Sequence, residues 1–125
     1  MKVAVTATGP SLDSALDSRF GRCPFFVLVE TGDMSLEAVE NASSALGGGA
    51  GIQSARSLEQ KGVKVVLTGN CGPNAHQVLT AAGIAVYVGC RGTVLDVVQR
   101  YKSGQLQPVA SPNVASHSGT GEKPR

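Results

Sequence analysis

Two consecutive stretches of this 125-residue chain share one grammar: a glycine, a short Val/Ile-rich run, a glycine turn holding a cysteine, then apolar residues at helical spacing. The first passes from Gly62 through Val63–Thr68 and Gly69-Asn70-Cys71-Gly72 into a helical stripe of Ala75, Val78, Leu79 and Ala82. The second passes from Gly83 through Ile84–Val88 and Gly89-Cys90-Arg91-Gly92 into Val94, Val97, Val98 and Tyr101, closing near Gly104. Pro73 suits a first helical position, where its missing N–H is not needed. Such a strand–helix–strand–helix string requires parallel strands joined by right-handed crossovers.

The remaining elements complete a sheet. Lys2 to Ala7 alternates with β-branched residues and reads as a strand, followed by a long polar loop from Thr8 to Gly21. A loop of that length in a small domain is expected to have a task. Phe25 to Glu30 is a near-continuous apolar run, and Met34 to Asn41 pairs back on it across the turn Thr31-Gly32-Asp33. After the glycine run Gly47 to Gly51, Ile52, Ala55 and Leu58 give a helix that Gly62 stops. The expected fold is α/β: a five-stranded mixed sheet of order 3-2-1-4-5 with three helices. Residues 1–104 form one domain, and 105–125, rich in Ser, Pro and Gly, read as a disordered tail. A topological switch falls between strands 1 and 4, and ligands bind outside the carboxyl ends of strands at such a crevice.

Composition removes several function classes. Hydrophobic residues are 42% and charged residues 16%, which excludes a disordered polyelectrolyte. A net charge of +2 gives no nucleic-acid footprint. No apolar run approaches the ~20 residues of a membrane span. The first residues read as a strand rather than a signal peptide, so a cytoplasmic monomer with reduced thiols is expected. The three cysteines, Cys23, Cys71 and Cys90, form no CxxC, which argues against a zinc ribbon or a thioredoxin motif.

The glycine turns that leave strands 1, 4 and 5 carry the functional signal. Three helix N-termini there are expected to aim N–H groups and partial positive charge at one region, with Arg19, Arg22 and Arg91 in nearby loops. That predicts a backbone-lined site for a compact anion. The Walker spacing fails, because Ile52 stands where Gly-Lys should begin from Gly47, and GxGxxG fails after Gly49-Ala50-Gly51. No paired carboxylates of a metal-dependent nuclease sit at strand ends, and Asp13 and Asp17 read as solvated loop residues. Cys71 precedes a helix, a position that favours thiolate, and His76 follows it; both are candidate soft metal ligands. Cys23 reads as a buried inert thiol. A Cys71–Cys90 pair on adjacent strands supports an alternative reading as a thiol-based redox module.

The segments SRFGRCPFF (Ser18 to Phe26), GGGAGIQSA (Gly47 to Ala55), KGVKVVLTGNCGPNA (Lys61 to Ala75) and AAGIAVY (Ala81 to Tyr87) resemble the dinitrogenase iron–molybdenum cofactor biosynthesis family, in particular its small single-domain members. The resemblance spans about residues 1 to 103. It implies an RNase H-like fold without nuclease residues and non-enzymatic carriage or assembly of an anionic molybdenum-containing metal–sulfur cluster, either Mo–Cu–sulfide or Mo–Fe–S. Cluster donor or acceptor proteins are the implied partners, with no nucleic acid and no membrane. By motif position it points to Arg19, Arg22, Gly51, Asn70, Gly72, Pro73 and Asn74. Many relatives place a histidine where Gly48 stands, so a preformed cluster held by hydrogen bonds and charge is expected. Its donors are the amides of turns 47–51 (Gly48, Gly49, Ala50, Gly51), 69–73 (Gly69, Asn70, Cys71, Gly72) and 90–93 (Arg91, Gly92), with His76 beside them.

Overall fold

Successive side chains of a strand face opposite sides, so the Val-rich segment Lys2–Ala7 must be covered on both. The computed structural model, which describes residues 1–42 and 49–106, shows how. In chain order the elements are β1 (Lys2–Ala7), β2 (Phe25–Glu30), β3 (Leu36–Glu40), α1 (Ala50–Gln60), β4 (Val65–Leu67), α2 (Pro73–Ala81), β5 (Ala85–Tyr87) and α3 (Val94–Lys102). The five strands form one mixed sheet of order β3-β2-β1-β4-β5. β1 runs antiparallel to β2, with Val3 opposite Val29, and parallel to β4, with Val3 beside Val65. β2–β3 is antiparallel and β4–β5 parallel. The architecture expected from the sequence is the one observed, and it is compatible with the RNase H-like label.

Each face has its own core. Ala4, Leu28, Val66 and Val86 pack with Ala55 and Leu58 of α1 and Ala75 and Leu79 of α2. Val3, Val5, Val27, Val29 and Leu67 pack with Val94, Val97 and Val98 of α3. The apolar stripes read from the sequence thus supply the packed faces of the helices, except that Ile52 of the α1 stripe is half-buried and lies outside both cores. The third strand differs from expectation at its start. Met34 adopts φ 61°, and its N–H donates to the Glu30 carbonyl at 2.7 Å, so it closes the turn instead of opening the strand.

Gly48 lies outside the described residues, as does the expected tail beyond Leu106. Among the described residues, no helix is long and apolar enough to cross a membrane.

Candidate functional site

The loop from Thr8 to Gly21 is not a solvated excursion. It is sewn onto the carboxyl ends of the parallel strands. Asp17 N–H donates to the Thr6 carbonyl at 2.8 Å, and Thr6 Oγ1 lies 2.6 Å from the Asp17 carbonyl. Thr6 Oγ1 also meets Thr68 Oγ1 at 2.9 Å, tying the ends of β1 and β4 together through two fully buried hydroxyls. Further along, Arg19 forms a parallel bridge with Asn70. Asn70 N–H donates to the Ser18 carbonyl at 2.7 Å, and Phe20 N–H to the Asn70 carbonyl at 3.1 Å.

The glycine turns converge on this strap. A Cβ at Gly21 would stand 2.8 Å from Gly51 Cα, and one at Gly69 would stand 2.7 Å from Ser18 Cα. A Cβ at Gly51 would meet Ala75 Cβ at 3.1 Å, so the first turns of α1 and α2 lie against each other. Gly89 N–H donates to the Gly69 carbonyl at 2.9 Å, which brings in the turn after β5.

The three helix N-termini are not equivalent. The N-cap of α1 is Gly49 and that of α2 is Gly72, and among the described residues neither end has a side-chain cap. α3 is different. Thr93 accepts from Asp96 N–H while the Asp96 carboxylate accepts from Thr93 N–H, a reciprocal capping box. Val94 and Leu95 N–H donate to the Ser14 and Leu12 carbonyls. The expectation of three open N-termini is corrected at the third, which the protein itself satisfies; among the described residues the other two carry no side-chain cap. Arg91 and Gly92 are exposed beside that closed end, and the Arg91 carbonyl accepts from Arg100 Nη1 at 2.7 Å.

Asp17 is a second correction. Only 7% exposed, it is buried rather than solvated. Its Oδ1 accepts from Arg19 N–H at 2.9 Å and Nε at 3.1 Å, and its Oδ2 accepts from Nη2 at 3.0 Å. Burial works to raise the carboxyl pKa, but the Arg19 hydrogen bonds and charge outweigh it and hold it below the usual value. Arg22, Asn70 and Asn74 are exposed around the same edge.

The cysteines also depart from the sequence reading. Cys71 is buried, and burial pushes its thiol up to about 11, against the lowering expected from a helix N-terminus. Burial, reinforced by the Asp17 charge, pushes Cys23 up to about 12, which agrees with an inert thiol. Cys71 belongs to the core under α1 and α2, whereas Cys90 belongs to the core under α3. They pack in different cores and all three cysteines are free, so nothing in the structure favours a Cys71–Cys90 redox pair. His76, the other candidate ligand, is buried, and its main-chain N–H donates to the Gly72 carbonyl at 3.0 Å. Among the described residues no group of three or more His, Cys, Asp or Glu is arranged to hold a metal ion.

A buried thiol held at about 11 carries far less thiolate at neutral pH than an exposed one. Iodoacetamide should therefore label Cys71 of the native protein at least about tenfold more slowly than in urea, as read by mass spectrometry of the digested protein. Rapid labelling of native Cys71 would contradict the buried, protonated assignment.

The sequence reading missed the buried polar residues that shape the site. Asn41 donates through Nδ2 to the Gly21 carbonyl at 3.1 Å and the Cys23 carbonyl at 2.8 Å, and accepts from Ser54 Oγ at 3.2 Å. It therefore joins the FGR turn to α1. No signal in the sequence marked Asn41, which follows the polar, largely exposed β3. The Thr6–Thr68 contact had none, since threonine is an ordinary strand residue. A hollow of about 490 Å³ lies between α1 and α2, lined by Arg56, Glu59, Gln77 and Ala81 among others, but it includes none of the glycine turns.

The dinitrogenase iron-molybdenum cofactor family model matches residues 1–104. Among solved structures, the apo form of the orange protein from Desulfovibrio gigas is 47% identical, covering 90% of this chain and 96% of that chain, with a TM-score of 0.88. A NifB-like protein from Thermotoga is 34% identical, covering 86% and 91%, with a TM-score of 0.75. An uncharacterized protein of Methanocaldococcus jannaschii is 29% identical over 110 residues, 86% of this chain and 90% of its own length.

Proposed function

The chain belongs to the dinitrogenase iron-molybdenum cofactor family, and we propose that it is a non-catalytic carrier or assembly protein for an anionic molybdenum-containing metal–sulfur cluster. One observation carries this reading: the bare N-termini of α1 and α2 lie side by side, with the Arg19 strap across them. Each helix N-terminus contributes roughly half a positive charge and outward N–H groups. Arg19, Arg22 and the amides of turn 49–51 and of Gly72 form the binding edge, with Asn74 at its rim; the Asn70 amide, expected among the donors, is spent on the Ser18 carbonyl.

The donor set fits a cluster that brings its own sulfide ligands. Amides and guanidinium groups donate hydrogen bonds to sulfide, and charge-assisted bonds are about twice as strong as neutral ones. A bare metal ion would need thiolate or imidazole ligands. Here Cys71 is protonated at neutral pH, and no third ligating side chain accompanies it and His76 among the described residues. Of the two cluster types that the family resemblance implies, Mo–Cu–sulfide is the first to test, because tetrathiomolybdate supplies molybdenum and sulfide together and needs only a copper salt beside it.

Mixing the apo-protein with tetrathiomolybdate and a copper(I) salt should give a coloured protein that keeps molybdenum and copper through gel filtration. Protein that elutes colourless and free of both metals would refute the Mo–Cu–sulfide assignment. Metal analysis of protein from its native host would then decide between a Mo–Fe–S cluster and none.

A further inference from the structure

We infer that Asp17 is a positioning residue for anion capture: its buried carboxylate fixes Arg19 as a pre-oriented donor between the two bare helix N-termini. The inference rests on the cluster-binding reading above and names how one part of that site is made selective.

Elementary electrostatics gives Asp17 the wrong sign for an anion site. A carboxylate there neutralises Arg19 and repels the guest. Its attachments show another use. The Asp17 main chain is clamped at both N–H and carbonyl to Thr6, and Thr6 is bonded to Thr68 on the neighbouring strand. The carboxylate therefore projects from a rigid point at the topological switch. It takes Nε and Nη2 of Arg19 in a two-point grip and also takes the Arg19 N–H. A side chain with several rotatable bonds is thereby held in one geometry while 62% of its surface stays exposed. Arginine has five N–H donors, and the grip uses two. Three are left for a guest at the lip.

The position of Arg19 makes that orientation matter. Its backbone pairs with Asn70, two residues before the N-cap of α2, and Gly21, two residues further on, abuts Gly51 in the first turn of α1. The guanidinium thus hangs from a segment that touches both helix ends. An arginine ordered in advance forfeits less side-chain freedom on binding. The ion pair also keeps the site's free charge low. Small singly charged anions then gain little, whereas a guest broad enough to reach both helix ends and the fixed guanidinium gains from all three.

The test is a double-mutant cycle on binding of the tetrathiomolybdate–copper complex, read by visible absorbance after gel filtration at increasing concentration. Simple charge repulsion predicts that Asp17→Asn tightens binding, since it removes a negative charge. Positioning predicts the reverse: about three- to tenfold weaker binding, the size expected from ordering one long side chain. Arg19→Ala should weaken binding at least as much, and Asp17→Asn should add nothing in the Arg19→Ala background. A loss of general integrity would weaken both backgrounds alike, so this coupling separates positioning from structure. If Asp17→Asn does not fold, Arg19→Lys serves. Lysine keeps the charge but cannot make the two-point contact, so it should bind about three- to tenfold more weakly than wild type. Tighter binding by Asp17→Asn, equal losses in both backgrounds, or wild-type affinity in Arg19→Lys would each overturn the inference. Wild-type protein that takes up no complex would instead sink the cluster-binding reading.

Discussion

Gly72→Asp should make the protein more stable and abolish its anion binding. Gly72 is the N-cap of α2, with φ −74° and ψ 170°, a conformation any residue adopts. Nothing lies within 4 Å of a Cβ built there. An aspartate would bond the first-turn amides and complement the helix dipole. Together with the lost freedom of the unfolded glycine, this is worth about 1 kcal/mol, or roughly 4 °C in melting temperature. The same carboxylate would occupy the donors assigned to the guest and repel it. At 5 to 6 Å and an effective dielectric near 20, repulsion is about 3 kcal/mol per unit charge, roughly a hundredfold in affinity. Gly72→Asn, which caps without charge, should fall between wild type and Gly72→Asp. Calorimetry and uptake of the tetrathiomolybdate–copper complex measure both quantities on the same protein. Wild-type uptake by Gly72→Asp would show that the α2 N-terminus is not part of the site.

Gly21→Ala should be the most damaging small substitution in the FGR turn. Gly21 has φ +91°, and an added Cβ would sit 2.8 Å from Gly51 Cα and 3.0 Å from Gly51 N. The left-handed backbone costs about 1 kcal/mol for alanine, and forcing apart two backbone segments costs about 2 more. A loss of about 3 kcal/mol lowers the melting temperature by roughly 12 °C or more. Gly83→Ala is the control. Its φ is +79°, but nothing lies within 4 Å of the added Cβ, so only the backbone penalty of about 1 kcal/mol applies. Equal losses from the two substitutions in urea unfolding would mean that the Gly21–Gly51 approach does not bear on stability. Because that approach also sets where α1 begins relative to the strap, Gly21→Ala should reduce anion uptake as well, and Gly83→Ala should not.

Some features of the site were legible in the sequence and were read differently. Thr93-Val94-Leu95-Asp96 has capping-box spacing, so the closure of the α3 N-terminus could have been anticipated. The additional bonds from its first amides to the Leu12 and Ser14 carbonyls could not, since nothing in that polar loop specifies where it returns. Met34 looked like a strand residue because it continues the alternation of Leu36 and Ala38. Only the hairpin geometry put it at positive φ.

The chain's own alternation and periodicity determined its architecture. The alternating run Lys2–Ala7, the near-continuous apolar run Phe25–Glu30 and two glycine–strand–glycine–helix units admit few sheet orders, and the observed order is the one they favour. The glycine turns were visible for the same reason, since short-range backbone chemistry is written in adjacent residues. Tertiary structure alone decided which ionisable groups are buried and whom they meet. Asp17 and Arg19 are two residues apart in a loop, a spacing with no fixed geometry. Their grip exists because Thr6 and Thr68, distant in sequence, lock the loop at the strand ends. Cys71 and Cys90 occupy matching places in two sequence units, yet α2 and α3 cover opposite faces of the sheet, so the thiols lie in different cores. Burial and long-range contact set protonation and reach, and both depend on where the whole chain goes rather than on its nearest neighbours.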